Sequence, residues 1–171
     1  SDNFWTRVKI LTPPDTHHVK AAAGWLELGN ANEAATELEK ITEKHTNHPD
    51  VLEMHWQVKA MQKDWNACVN TATILTQKAP SRPSGWIHRS FALHEMGRTQ
   101  EAYDLLIPAL AVFEKNWIIP YNIACYLCQL DRKTEAIEKL KMAFERGGDD
   151  ARGTAREDDD LKPLREELDS I

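Results

Sequence analysis

The residues best suited to chemistry in this sequence are its cysteines and histidines. Cys125 and Cys128 form a C-x-x-C pair, a spacing that elsewhere serves redox chemistry or half of a zinc site. The pair falls inside a predicted helix rather than at a helix N-terminus, and a second cysteine pair that would complete a zinc site is absent. We therefore interpret both thiols as packing residues. An odd number of cysteines, three, also argues against a disulfide framework.

The histidines show ligand-like spacing without a complete set of ligands. His17 and His18 are adjacent, and His45 and His48 are three residues apart, but both pairs fall at predicted loop ends. Because neither a carboxylate cluster nor a cysteine cluster converges with them, we predict that the chain holds no metal ion and no cofactor. The sequence also lacks a nucleophile elbow, a glycine-rich phosphate loop and an HExxH motif. We therefore predict that the protein is not an enzyme.

Composition and charge limit the classes of partner. The chain has 171 residues, enough for one domain with a core, and its net charge is −6. From Glu145 to the end there are ten acidic and five basic residues, so most of the charge lies there. Because the sequence has no basic stripe that could follow phosphates, we predict that nucleic acid is not a partner. We interpret the acidic end as a solvated tail.

The hydropathy pattern argues against a membrane protein. The longest apolar run, Leu105 to Phe113, has nine residues and is interrupted by Pro108. A membrane-spanning helix needs roughly 20 apolar residues. The first residues, Ser1 to Lys9, are charged and lack the apolar stretch of a secretory signal. We therefore expect a cytoplasmic protein without a membrane partner.

The most informative feature of the sequence is an internal repeat of 34 residues. Its register is marked by Gly29, Lys63, Gly97 and Asp131, which are spaced 34 apart. Five residues after each of these comes a small residue: Ala34, Cys68, Ala102 and Ala136. A small residue lets two helix backbones approach, and apolar residues four and seven positions later continue one buried stripe. Since glycine ends a helix at little cost, each unit is predicted to form a helix, a tight turn and a second helix.

The repeats resemble tetratricopeptide repeats. The segments L-G-N-A-N-E-A (28–34), M-G-R-T-Q-E-A (96–102) and L-D-R-K-T-E-A (130–136) are similar to the second half of that motif. The second unit is degenerate, since it has Trp56 at the small position of the first helix and Lys63 at the glycine. The resemblance covers about residues 14–147. It implies an all-α fold, a right-handed superhelical solenoid of antiparallel helix pairs.

We divide the chain into three predicted parts: an N-terminal extension (1–13), an array of about four helix pairs (14–147) and an acidic C-terminal capping segment (148–171). In the last part, Leu161, Leu164 and Leu168 are spaced as on one face of an amphipathic helix, which predicts a final helix that covers the end of the array. Two local predictions concern helix ends. Asp50 is expected to be a helix N-cap, and Pro108 is expected to kink or loosen a helix.

The resemblance implies where a partner binds. The first helices of such repeats line a concave groove that holds another protein or peptide. Carrying the groove positions over to this sequence gives the candidate partner-binding residues Glu53, Gln57, Met61, Ile87, Phe91, His94, Glu95, Tyr121, Cys125 and Gln129. Phe91 and Tyr121 are the expected aromatic anchors. One residue of helix rotation would turn groove into core, so both placements stay open.

Some members of the family bind a chaperone's C-terminal carboxylate with Lys, Asn and Arg in this groove. The matching positions here are Val19, Ala23, Met54, Ser84 and His88, which lack that cationic pattern. We therefore predict a scaffold or adaptor whose mixed apolar and aromatic groove takes an extended or helical peptide of a partner with an apolar anchor. Two alternatives stay open: a small chaperone of this repeat type for a secreted protein, and a self-assembling structural module such as a homodimer.

Overall fold

The computed structural model describes residues 10–171. The segment Ser1 to Lys9, on which the expected absence of a signal sequence rests, lies outside the described residues. Every regular element between residues 10 and 171 is helical. The chain divides into two compact units, residues 1–85 and 86–171. The three-part division drawn from the sequence stays a prediction.

The first unit consists of two helix pairs. They are α1 (Asp15–Glu27) with α2 (Ala31–Glu39) and α3 (Pro49–Met61) with α4 (Trp65–Lys78). Within each pair the two helices pack on each other, and α2 also packs on α3. The connection between the pairs contains a short 3₁₀ turn, Glu43–His45. The short loops inside each pair make its two helices antiparallel.

The second unit continues the same pattern and ends differently. Helix α5 (Ser84–Glu95), which begins in the last two residues of the first unit, is followed by α6 (Thr99–Leu106) and a single turn, α7 (Ala109–Val112). Helix α8 (Ile118–Gln129) packs along α9 (Lys133–Glu157). A 3₁₀ segment (Asp159–Leu164) and a short helix, α10 (Arg165–Leu168), complete the chain.

The predicted register is confirmed by the turns inside the helix pairs. Gly29 and Gly97 have φ angles of 74° and 76°. Lys63 and Asp131, which occupy the same repeat position, have φ angles of 57° and 61°. A left-handed residue is what ends a helix and reverses the chain in so short a turn. The turn geometry is therefore kept in all four repeats, including the two that lack glycine.

The small-residue column is buried as predicted. Ala34, Cys68, Ala102 and Ala136 are each 0% exposed. The next positions in the stripe are also in the core, with Leu38 at 3% exposure and Leu106 and Leu140 at 0%. Close approach of the paired helices therefore depends on this column.

Two local predictions have different outcomes. Helix α3 is capped by His48, whose ring accepts a hydrogen bond from the Asp50 backbone N–H at 3.2 Å, and Pro49 is its first residue. The predicted Asp50 cap is therefore wrong, because proline suits the first helical position and moves the helix start forward. The expected break at Pro108 is confirmed, since α6 ends at Leu106 and α7 begins at Ala109.

The C-terminal part of α9 changes direction at Gly148, where φ is 54° and ψ is −132°. The adjacent Gly147 lies against the indole of Trp117, so a Cβ atom there would come within 2.5 Å of the ring. Leu161 and Leu164 are fully buried and Leu168 is 7% exposed, as their spacing predicts. The predicted single amphipathic helix is wrong, however, because residues 159–164, which include Pro163, form a 3₁₀ segment.

Among residues 10–171, we find no helix that combines the length and the apolar character needed to cross a bilayer.

Candidate partner-binding groove

The predicted groove residues of the first unit lie along one face of α3. Glu53, Gln57 and Met61 are spaced four residues apart, which places them above one another on the helix. Glu53 is half-buried and accepts a hydrogen bond from the Ser84 hydroxyl at 2.5 Å. Gln57 is exposed, and 43% of Met61 is exposed. This face therefore presents one large apolar side chain next to a polar one.

An open cavity of about 480 Å³ lies on the first unit. Its apolar part comes from Ile10, Leu11 and Val19, and its polar part from Thr16, Lys20, His48, Asp50 and Arg82. Asp50 and Arg82 are joined by an ion pair of 2.8 Å. Sequence reasoning placed only Val19 of this set on the groove side, and the cavity itself was not predicted.

Helix α5 carries four predicted groove residues of the second unit. Ile87 and His94 are half-buried, Glu95 is exposed, and Phe91 is 38% exposed. A phenylalanine with that much surface in water is uncommon inside a helical pair and is suited to contact with another molecule. The predicted aromatic anchor on α5 is therefore partly exposed.

Helix α8 carries the remaining predicted residues, and here the surface is covered by the chain itself. Tyr121, Cys125 and Gln129 lie four residues apart on one face, and the first two are each 4% exposed. The Tyr121 hydroxyl donates to a carboxylate oxygen of Asp158 at 2.7 Å. The Cys125 thiol donates to the same oxygen at 3.7 Å. The C-terminal segment therefore lies on the predicted groove face of α8.

Asp160 makes the second set of contacts. Its carboxylate lies 3.0 Å from Nε2 of His94, and its backbone carbonyl accepts from the side-chain amide of Gln129 at 3.0 Å. The other oxygen of Asp158 accepts from the Asp160 backbone N–H at 2.9 Å, which fixes the spacing of the two carboxylates. Four predicted groove residues on two helices are thus brought together around residues 158–160.

The His94 ring is held in position by its neighbours. Its Nδ1 lies 2.9 Å from the Thr99 hydroxyl, and its ring packs on that of Tyr126 with centroids 5.0 Å apart. The Tyr126 hydroxyl in turn lies 3.1 Å from that of Ser90. Because a carboxylate only accepts hydrogen bonds, Nε2 of His94 carries the proton that faces Asp160.

Burial keeps the donors of α8 protonated. Burial, reinforced by the neighbouring Cys125 and by Asp158, raises the pKa of Tyr121 well above its ordinary value. Burial and the negative charges of Asp158 and Asp160 raise the pKa of Cys125 in the same direction. Both groups are therefore neutral donors at physiological pH, and they bind a carboxylate by hydrogen bonding rather than by opposite charge.

The residues singled out for metal or redox chemistry have structural contacts. Burial raises the pKa of Cys128 as well, so both thiols of the C-x-x-C pair are protonated and weakly nucleophilic. His18 bonds Glu37 at 3.0 Å, and His45 bonds Asp15 at 2.5 Å. Within residues 10–171, no group of three or more His, Cys, Asp or Glu side chains is arranged to hold a metal ion.

Comparisons with known proteins identify the fold. No family model matches the sequence, and no curated protein matches it. Solved structures do match. A crystal structure of MamA superposes with a TM-score of 0.71 at 14% identity, covering 81% of this chain and 81% of that one. The chain has the tetratricopeptide-repeat fold.

Two further tetratricopeptide structures match a larger share of this chain. TTC0263, a thermophilic protein of this repeat class in Thermus thermophilus, has a TM-score of 0.69 at 15% identity over 91% of this chain and 95% of that one. YrrB, described as a protein of this class with an unusual peptide-binding site, has a TM-score of 0.64 at 10% identity over 90% and 84%.

The sequence did not predict that residues 158–160 lie on the tetratricopeptide groove positions of the second unit. The acidic end was expected to be solvated, which is wrong for Asp158 and Asp160 because their carboxylates bond Tyr121 and His94. The family resemblance placed Tyr121 among the groove residues, but no pattern in the sequence pairs it with Asp158, 37 positions later. Asp-x-Asp followed by a buried Leu161 is the only local signal, and it also describes an ordinary acidic tail.

Proposed function

We propose that this protein is a non-catalytic scaffold that binds a peptide segment of a partner protein on its groove residues. The observation that carries the proposal is the arrangement around residues 158–160. Side chains from α5 and α8, all at predicted groove positions, hold the start of the 3₁₀ segment, residues 158–160, through His94, Tyr121, Cys125 and Gln129. A surface that holds one such segment has the chemistry to hold another.

Two exposed apolar residues support the same proposal. Met61 on α3 and Phe91 on α5 are 43% and 38% exposed, and each lies on a predicted groove position of its unit. Large, exposed apolar side chains next to polar ones, such as Gln57 and Glu95, are typical of the centre and rim of a protein interface. The match to YrrB, described as having a peptide-binding site, is consistent with this role.

Capture experiments from a lysate of the source cell test the proposal. The wild-type chain is compared with a Met61→Ala/Phe91→Ala variant and with a matched control, Leu28→Ala/Val112→Ala. The control removes two exposed apolar side chains, 77% and 60% exposed, that lie outside the predicted groove positions. All three proteins must first show the same helical circular dichroism.

We expect one protein to be captured by the wild type and the control and lost, or weakened at least tenfold, with the groove variant. Equal capture by all three proteins would contradict the proposal, because the contact would then lie off the groove. Recovery of only a second copy of this chain would instead support self-assembly through the same residues. Light scattering of the purified protein separates that outcome from binding to another protein.

A further inference from the structure

The four side chains around residues 158–160 share one property. His94, Tyr121, Cys125 and Gln129 all present hydrogen-bond donors toward the segment, and the groups that they meet are two carboxylates and a backbone carbonyl. We name this set the donor cluster. The donor cluster consists of a hydroxyl, a thiol and an amide together with the histidine ring. Because these groups bind by hydrogen bonding, the donor cluster selects a ligand whose acceptor atoms lie at matching positions.

The spacing of the acceptors is specific. The carboxylates come from residues two apart, and the chain between them is fixed by the hydrogen bond from the Asp160 N–H to Asp158. The next residue, Leu161, is 0% exposed, so an apolar side chain follows directly after the second acidic one. The pattern that fits the donor cluster is therefore Asp-x-Asp-Leu.

The resident segment is held at this place by two kinds of contact. Its leucines are buried, whereas 40% of the Asp160 side chain is exposed and the His94 side chain that it meets is 15% exposed. The Asp160–His94 contact thus lies at the water-accessible edge, where an incoming segment can exchange with it first, whereas Tyr121 and Cys125, which hold Asp158, are each 4% exposed. An incoming segment that brings its own leucine can replace the buried one as well.

We propose that the donor cluster is a receptor for acidic protein segments of the Asp-x-Asp-Leu type, and that residues 158–161 occupy it in cis until such a segment displaces them. This inference rests on the proposed function and names the chemistry of its partner. The C-terminal segment then acts as a built-in competitor. When the resident segment occupies the site most of the time, the apparent affinity for an incoming ligand equals the intrinsic affinity multiplied by the fraction of molecules whose site is open.

The first test uses a fluorescent synthetic peptide that copies residues 155–165, with binding to the full chain measured by anisotropy. An Asp158→Ala/Asp160→Ala variant removes the resident carboxylates, and Asp149→Ala/Asp150→Ala is the matched control, since it removes the same charge at exposed positions. We expect the first variant to bind the peptide at least about tenfold more tightly than the wild type and the control. Equal binding by all three proteins would overturn the proposal.

Two further arms map the site. Adding His94→Ala/Gln129→Ala to the opened variant should abolish peptide binding, and so should replacing both aspartates of the peptide by alanine. Retained binding in either arm would overturn the proposal, because the contact would not depend on the donor cluster. If the opened variant loses its helical circular dichroism, Asp158→Asn/Asp160→Asn keeps the side-chain shape. It should still bind the peptide more tightly than the wild type.

Hydrogen exchange on the wild-type chain provides an independent reading. Excess peptide should speed exchange of the amides of residues 158–164 as the resident segment leaves. Binding of the peptide without any change in this segment would overturn displacement. The peptide assays need no natural partner, so they fail separately from the capture experiment. If capture depends on Met61 and Phe91 but the peptide does not bind, the groove takes a segment of different chemistry.

Discussion

Both units use a carboxylate to join parts of the chain that are far apart in sequence, but they do so at different depths. In the first unit Asp15, at the start of α1, accepts hydrogen bonds from the backbone N–H and the hydroxyl of Thr42 and from the His45 ring. The side chains of His45 and Asp15 are 5% and 1% exposed. In the second unit Asp160 meets His94 while 40% of its side chain is exposed.

Because the two carboxylates are buried to different depths, we infer that they have different roles. A buried carboxylate that loses a partner cannot find water in its place, so the Asp15 network fixes the connection between α2 and α3 permanently. An aspartate at a half-exposed edge can exchange its partners with water or with another segment at small cost. We therefore regard the Asp15 network as part of the core and the Asp158–Asp160 segment as exchangeable, with Asp160 as the end that opens first.

The largest expected effect is that of breaking the buried network. His45→Leu keeps the volume of the side chain but removes its hydrogen bond to Asp15, which stays buried with fewer partners. We expect the free energy of unfolding to fall by about 3 kcal/mol. Urea denaturation measures the loss. His17→Leu, at an exposed position on helix α1 two residues after Asp15, is the control and should change stability by less than about 0.5 kcal/mol.

The acid dependence of the same network gives the next prediction. The hydrogen bond from the Thr42 hydroxyl, assisted by His45, lowers the pKa of Asp15 from 3.8 to about 2. A lowered folded-state pKa stabilises the fold above the unfolded-state value and loses that effect as pH falls through the folded-state value. The stability difference between the wild type and Asp15→Asn should therefore be full at pH 5 and shrink between pH 3.8 and about 2. A difference that is constant over this range would show that the ionised form is not preferred in the fold.

The exchangeable site should respond to mutation locally and more weakly. Tyr121→Phe removes the hydroxyl that donates to Asp158, a hydrogen bond to a charged group worth about 1.5 kcal/mol. We expect faster hydrogen exchange in residues 158–164, with little change in the first unit. Tyr103→Phe, which removes a hydroxyl on α6 next to Arg132, is the matched control and should leave that segment unchanged. Unchanged exchange with Tyr121→Phe would remove the distinction between the two regions.

The sequence predicted the repeat framework well because that framework is set by local patterns. The 34-residue period placed the turn inside each helix pair and the small buried column, including those of the degenerate second repeat. The burial of Leu161 and Leu164 followed from their spacing in the same way. In each case a residue's neighbours in sequence are also its neighbours in space.

The contacts that carry the candidate site depend on long-range pairing, which no local pattern encodes. Asp158 meets Tyr121 across 37 residues, and His94 meets Asp160 across 66. The predicted start of α3 was wrong for a related reason. Asp50 looked like a cap by its type, but His48 takes that place and Asp50 instead pairs with Arg82, 32 residues away. The family resemblance therefore pointed to the face of α8 on which residues 158–160 lie, but not to the segment itself.

The smallest expected effects concern the turns, where the two units are built alike. Each unit has one glycine turn and one without glycine, and Gly97 and Lys63 have φ angles of 76° and 57°. A Cβ atom at Gly97 would meet nothing within 4 Å, so Gly97→Ala should cost about 1–2 kcal/mol of backbone strain, offset by about 0.5–1 kcal/mol from the lower freedom of the unfolded chain, which leaves a loss of about 0.5 kcal/mol. Lys63→Gly relieves the same strain but loses about 0.5–1 kcal/mol to the greater freedom of the unfolded chain, which leaves a gain of about 0.5 kcal/mol.

Urea denaturation of the two variants compares the units directly, because the turn geometry is the same and only the residue type differs. Opposite signs for Gly97→Ala and Lys63→Gly would mean that both turns have the same backbone requirement and that the second repeat tolerates its lysine at a small cost. A loss of stability with Lys63→Gly would instead mean that the lysine side chain contributes more than the strain removes. In that case the degenerate repeat would differ from the others in its side-chain contacts while it keeps their backbone.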